Sequence, residues 1–101
     1  MVRIIFSKSA RRDLKEIIDY IKRDSVRYAI LERQYIVKAI DKLILHPEKG
    51  KLFDKNSTYR ELVFRNYRII YRLVSDAQIN ILTIHHHARS IGNNPAFSDE
   101  D

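Results

Sequence analysis

Two arginines and three histidines stand where their types and spacing could do chemistry. Arg68 and Arg72 lie four apart in the stretch Tyr67-Arg68-Ile69-Ile70-Tyr71-Arg72-Leu73-Val74, which reads as a strand. On a strand this spacing sends both guanidinium groups to one side with Ile70 and Val74. Tyr67, Ile69, Tyr71 and Leu73 then share the other side. A guanidinium fork suits phosphate oxygens, but it suits carboxylates as well, so Glu61, Asp76 or helix carboxylates are its competing partners. Further on, His85-His86-His87 is followed by Ala88 and Arg89. Alternation predicts His85 and His87 on one face and His86 on the other. An imidazole near its ordinary pKa gives or takes a proton at neutral pH, so a histidine beside arginines is a candidate general acid or base. The competing use is structural: an imidazole donates to a backbone carbonyl, or covers a sheet edge. Two histidines at i, i+2 suit a metal only with further ligands, and no Cys, Asp or Glu sits nearby in sequence to supply one. The chain therefore reads as free of metal and cofactor.

Other chemistries lack their parts. Only Gly50 and Gly92 are present, too few for a glycine-rich phosphate loop, and no serine sits in the context of a nucleophile elbow. Paired catalytic carboxylates are not evident. The absence of cysteine excludes a disulfide framework and thiolate catalysis, and it suits a reducing compartment. Met1 to Phe6 are too short for a signal peptide and run into Lys8, Arg11 and Arg12, and no apolar run reaches transmembrane length. These features predict a cytoplasmic protein with no membrane partner. Of the 13 acidic residues, three close the chain as Asp99, Glu100 and Asp101. Residues 1–98 thus carry 10 acidic against 19 basic groups, a body charge of +9 that favours nucleic acid or an acidic protein as partner.

The elements that must position these residues follow from periodicity. Val2, Ile4 and Phe6 mark a short buried strand. Ser7 is a plausible N-cap for a helix over about 8–24, whose stripe is Leu14, Ile17, Ile18 and Ile21. Ser25 caps a second helix carrying Ala29, Ile36, Ile40 and Leu43, which Pro47 stops near His46. So short a connection predicts an antiparallel helical hairpin. Glu48 to Gly50 turn the chain, and Lys51 to Thr58 read as a polar connection. Three strands follow, over Glu61 to Phe64, Tyr67 to Val74 and Gln78 to His87, separated by turns at Arg65-Asn66 and Ser75 to Ala77. The predicted fold class is α+β: an N-terminal strand, the helical hairpin, then a three-stranded antiparallel meander, forming one sheet packed on the helices. One domain over 1–90 precedes a flexible acidic tail over 91–101.

Several of these segments together resemble a known family. They are Arg11-Arg12-Asp13-Leu14, the hairpin ending at His46-Pro47, Tyr59-Arg60-Glu61-Leu62, Tyr67 to Arg72, and Ile84-His85-His86-His87-Ala88-Arg89. In this order, over about residues 2–90, they resemble the RelE/ParE toxins of bacterial type II toxin–antitoxin systems, and the ParE branch in particular. ParE-like members are non-enzymatic poisons of DNA gyrase. RelE-like members cleave messenger RNA on the ribosome, where a base activates a ribose 2′-hydroxyl and arginines stabilise the phosphorane. Arg68 matches the arginine shared by both branches. Arg60 falls near a catalytic lysine of RelE, Leu62 where a second lysine is expected, and Asn93 near the place of the catalytic tyrosine. These departures favour ParE. Against this, His87 lies close to the histidine other interferases use, while ParE-like chains usually carry one histidine here, matched by His86, so the triplet keeps the ribonuclease reading open. The resemblance implies a toxin neutralised by a cognate antitoxin and acting on gyrase, with Arg60, Arg68, Arg72 and Arg89 binding. The alternative is a metal-independent endoribonuclease acting on the ribosome and mRNA through His87, Arg68, Arg60 and His86. A third reading is a basic module that binds without toxicity.

Overall fold

The computed structural model describes residues 2–54 and 58–86. The chain runs β1 (Arg3–Phe6), α1 (Lys8–Lys22), α2 (Val26–Asp41), a 3₁₀ turn (Lys42–Ile44), β2 (Lys51–Leu52), β3 (Tyr59–Phe64), β4 (Tyr67–Ser75) and β5 (Gln78–His86). The predicted α+β architecture holds, with both helices packed on one face of a single sheet. Strand order is β1-β5-β4-β3-β2; β1 runs parallel to β5 and the other neighbours are antiparallel. Part of the expected polar connection is a strand. Lys51 and Leu52 pair with Glu61 and Arg60, so the sheet has five strands. Two residues are too few for alternation to appear in a sequence, and β2 exists because the edge of β3 offers it hydrogen bonds. The predicted boundary at residue 90 and the acidic tail lie outside the described residues.

Both predicted N-caps form. Ser7 Oγ accepts the Ala10 amide at 3.0 Å, and Ser25 Oγ accepts the Tyr28 amide at 3.1 Å. Ser7 has a second task, because its hydroxyl donates to the Leu82 carbonyl at 2.7 Å and its amide to the Ile81 carbonyl at 3.0 Å. The cap thereby ties the start of α1 to β5 where β1 ends. One turn on, the Asp13 carboxylate accepts the Ile84 amide at 3.1 Å and the Thr83 hydroxyl. A carboxylate on α1 thus satisfies a strand amide that a longer β1 would have paired.

The core between helices and sheet is built from Ala10, Ile36, Ile40 and Leu43 against Leu62, Ile69, Tyr71, Ile79, Ile81 and Ile84. Tyr71 is fully buried with its hydroxyl satisfied on both counts. It donates to the Pro47 carbonyl and accepts the Gly50 amide, each at 2.8 Å. Burial raises this phenol above its ordinary value, against the opposing pull of the Gly50 amide. Gly50 is needed for the close approach: a Cβ there would lie 2.7 Å from Tyr71 Cε1 and 2.9 Å from the Glu61 carbonyl oxygen.

Candidate functional site

The helices cover one face of the sheet, and the arginine pair lies on the other. Ile70 and Leu82 are buried there beneath Phe53 and Tyr59, giving a small apolar floor. Arg68 and Arg72 flank Ile70 on this outer face, as the strand alternation predicts. Arg72 stands opposite Tyr59 in register, and its guanidinium lies 5.4 Å from the centre of that ring, at cation–π distance. Arg68 Nη1 is 3.9 Å from a Glu61 carboxylate oxygen, an ion pair too long for a hydrogen bond. Arg68 Nε is buried and makes no hydrogen bond among the described residues, so the terminal amines carry whatever contact this group makes. Arg68, with its distant carboxylate partner, gives this face a guanidinium suited to an anion.

A bulge decides which histidine joins them. Ile70 pairs with Thr83 and Tyr71 with Ile81, so Leu82 is an extra residue in β5. Before it, Ile79 and Ile81 face the helices; after it, Ile84 does. The phase of the strand is therefore shifted by one. His85 stands opposite Arg68 on the outer face, 8% exposed, while His86 stands opposite Tyr67 on the helix side. The rings of His86 and Tyr67 meet edge to face at 6.3 Å. Unbroken alternation from Ile79 and Ile81 would have turned His85 toward the helices. The signal in the sequence is the run Ile81-Leu82-Thr83-Ile84, where apolar residues stop alternating.

The structure brings together Arg68 and Arg72 and adds His85, which is absent from the candidate catalytic set. It separates Arg60 from them. Arg60 pairs with Tyr71 in register and so belongs to the helix face. Its Nη1 donates to the carbonyls of Gly50 at 2.7 Å and Glu48 at 3.3 Å, holding the turn that leads into β2. Leu62 is buried in the main core on that same side. His86 is exposed on the helix side, and His87 and Arg89 lie outside the described residues. Among the described residues no group of three His, Cys, Asp or Glu is arranged to hold a metal ion, and no helix is long and apolar enough to cross a membrane.

A hairpin of helices on a five-stranded sheet, with arginines on its outer face, defines a small α+β domain. The family model described as ParE toxin of type II toxin–antitoxin system, parDE, matches residues 4–91, and the chain belongs to this family within the RelE/ParE superfamily. It is 34% identical over 89 residues to Toxin RelE2 of Caulobacter vibrioides, covering 88% of this chain and 99% of that protein. The fold is similar to that of the chromosomal ParDE toxin–antitoxin system of P. aeruginosa, with a TM-score of 0.72 at 21% identity, over 85% of this chain and 96% of that one. It is also similar to that of the toxin–antitoxin complex RelBE2 of Mycobacterium tuberculosis, with a TM-score of 0.59 at 22% identity, over 84% and 96% of the two chains.

Proposed function

We propose that this toxin inhibits growth by binding DNA gyrase, without chemistry of its own, and that a cognate antitoxin neutralises it. The observation that carries this reading is the division of the cationic residues. RNA cleavage asks for several groups converging on one phosphate. Here Arg60 is committed to the backbone of a turn on the helix side, and Leu62 is core, while Arg68 and Arg72 share the outer face. What remains on that face is an anion-binding pair with an aromatic neighbour, which suits recognition. One observation favours the second reading, ribosome-dependent RNA cleavage: His85 stands across from Arg68, in a chain related to a protein named as a RelE toxin.

For the antitoxin, a groove of about 660 Å³ runs along β1 and the hairpin, with Ile4, Phe6, Leu14, Ile18 and Val37 among its lining, Arg11 and Arg33 beside them, and Lys15 paired there with Asp19. β1 is the terminal strand of the sheet, so an added strand finds an edge there. An acidic segment with apolar anchors gains burial and charge complementarity together. The test is induced expression in bacteria, with and without the antitoxin. Growth arrest with double-strand DNA breaks and intact transcripts, relieved by co-expression, is expected. Normal growth under strong expression of folded protein would count against an active toxin.

A further inference from the structure

A second cationic feature lies away from both the outer face and the groove. Between α2 and β3 is a cleft of about 200 Å³ whose lining includes Lys38, Lys42, Lys49 and Arg65 over a floor of Leu62 and Phe64. No Asp or Glu among the described residues lines it. Arg65 is held in place: its Nη1 pairs with Glu32 at 3.0 Å, and its guanidinium lies 4.3 Å from the centre of the Tyr35 ring and 5.4 Å from that of Phe64. The side chains of the three lysines are exposed and make no ion pair or hydrogen bond within the described residues. Lys38 and Lys42 stand one helical turn apart, a spacing at which like charges repel. An unneutralised cluster of this kind is relieved by a polyanion.

We infer that this cleft binds the phosphate backbone of a nucleic-acid duplex. Lysine is a point charge on a flexible stem, suited to phosphate without the planar fork that carboxylates favour. A single strand would need an open aromatic face for its bases to stack on. Both aromatic rings of the cleft, Tyr35 and Phe64, already carry Arg65, so the backbone is what the site has to offer contacts to. β1 lies at one edge of the sheet and β3 next to the other, so a segment seated in the β1 groove leaves the cleft open. The inference does not depend on gyrase being the target, because it concerns binding by the purified chain alone.

The test measures binding of the full chain to a labelled short DNA duplex by fluorescence anisotropy, over about 50–200 mM salt. A duplex RNA, the matching single strand and poly-glutamate serve as competitors. The variant Lys38→Gln/Lys42→Gln/Lys49→Gln is compared with Lys8→Gln/Arg12→Gln/Lys22→Gln, which removes the same charge from α1. Each lysine on a phosphate contributes about 0.9 to the slope of log affinity against log salt. The cleft variant should lower that slope by about 2–3 and weaken binding about tenfold or more at low salt, with the α1 variant near the unaltered chain. Lys42→Gln alone should lower the slope by about 1, which keeps the test available if the triple variant folds poorly by circular dichroism. Equal losses in the two triple variants would overturn the inference, since net charge would then suffice. So would poly-glutamate or the single strand competing as well as either duplex, or no binding at low salt.

Discussion

Arg68 is the residue on which the binding account rests most heavily. Its terminal amines face outward beside a single distant carboxylate, so they are available to an anion on the target. A charge-assisted hydrogen bond contributes about 1.5–3 kcal/mol, so Arg68→Ala should weaken target binding by roughly 10- to 100-fold. Growth inhibition should fall in step, while the melting transition stays close to that of the parent. His85→Gln separates the two readings of the same face. Binding asks no proton of His85, and toxicity should change little. Loss of a general base would cost about 100- to 10,000-fold in rate, a result that favours cleavage. Tyr71 offers a test of stability. In Tyr71→Phe the buried Gly50 amide loses its acceptor and the Pro47 carbonyl its donor, at a cost of about 1–3 kcal/mol in urea unfolding. The folded phenol holds its proton more tightly than the unfolded one, chiefly through burial, and Tyr67 is raised for the same reason. That contribution is complete below the ordinary value of 10.0 and is lost as pH rises through it toward the folded value. The unfolding midpoint should therefore drop between about pH 8 and pH 11, and by less in Tyr71→Phe.

At the scale of elements, the joint between α1 and β5 decides how the candidate site is assembled. Ser7 and Asp13 reach from the first turns of α1 to β5 beyond the end of β1, next to the bulge at Leu82. Asp13→Ala would strand the Ile84 amide, costing about 1–3 kcal/mol. Hydrogen exchange should quicken at Ile84 and its neighbours more than in α2. Asp13→Asn, which keeps an acceptor oxygen, should retain most of the stability. The sequence makes most of these elements legible because their signals are local. A capping serine, a proline and a period of two or 3.6 each act within a few residues, and both helices and the three long strands follow from them. What is hidden depends on partners distant in sequence. The two-residue β2 exists only as the neighbour of β3. The parallel direction of β1 is set by its pairing with β5, some 75 residues away. The arginine pair is legible because β4 alternates cleanly. The histidines are not, because one extra residue in β5 exchanges their faces, and Arg60 gives no local sign that backbone carbonyls across the turn will claim it.

For the whole molecule, positive charge is distributed over several surfaces rather than gathered into one. The outer face presents Arg68 and Arg72, the groove beside β1 is bordered by Arg11 and Arg33, and the cleft by α2 holds three lysines. On the proposed readings, antitoxin, target and nucleic acid would then be met on separate surfaces. In the antitoxin complex, charge placed in the groove should weaken neutralisation. Ile18 lines the groove without packing on the main core. Ile18→Glu, which sets a like charge against an acidic segment, should reduce antitoxin affinity by about 2 kcal/mol or more, read by calorimetry, while toxicity without antitoxin persists. The most direct measurement of the central claim uses purified components: gyrase with relaxed plasmid and ATP, and in parallel translating ribosomes with a defined transcript. If gyrase is the target, the chain blocks supercoiling and accumulates linear DNA, Arg68→Ala does so weakly, and the transcript stays whole. Unimpaired supercoiling alongside a transcript cut on the ribosome, with the cutting lost in His85→Gln, would contradict that claim.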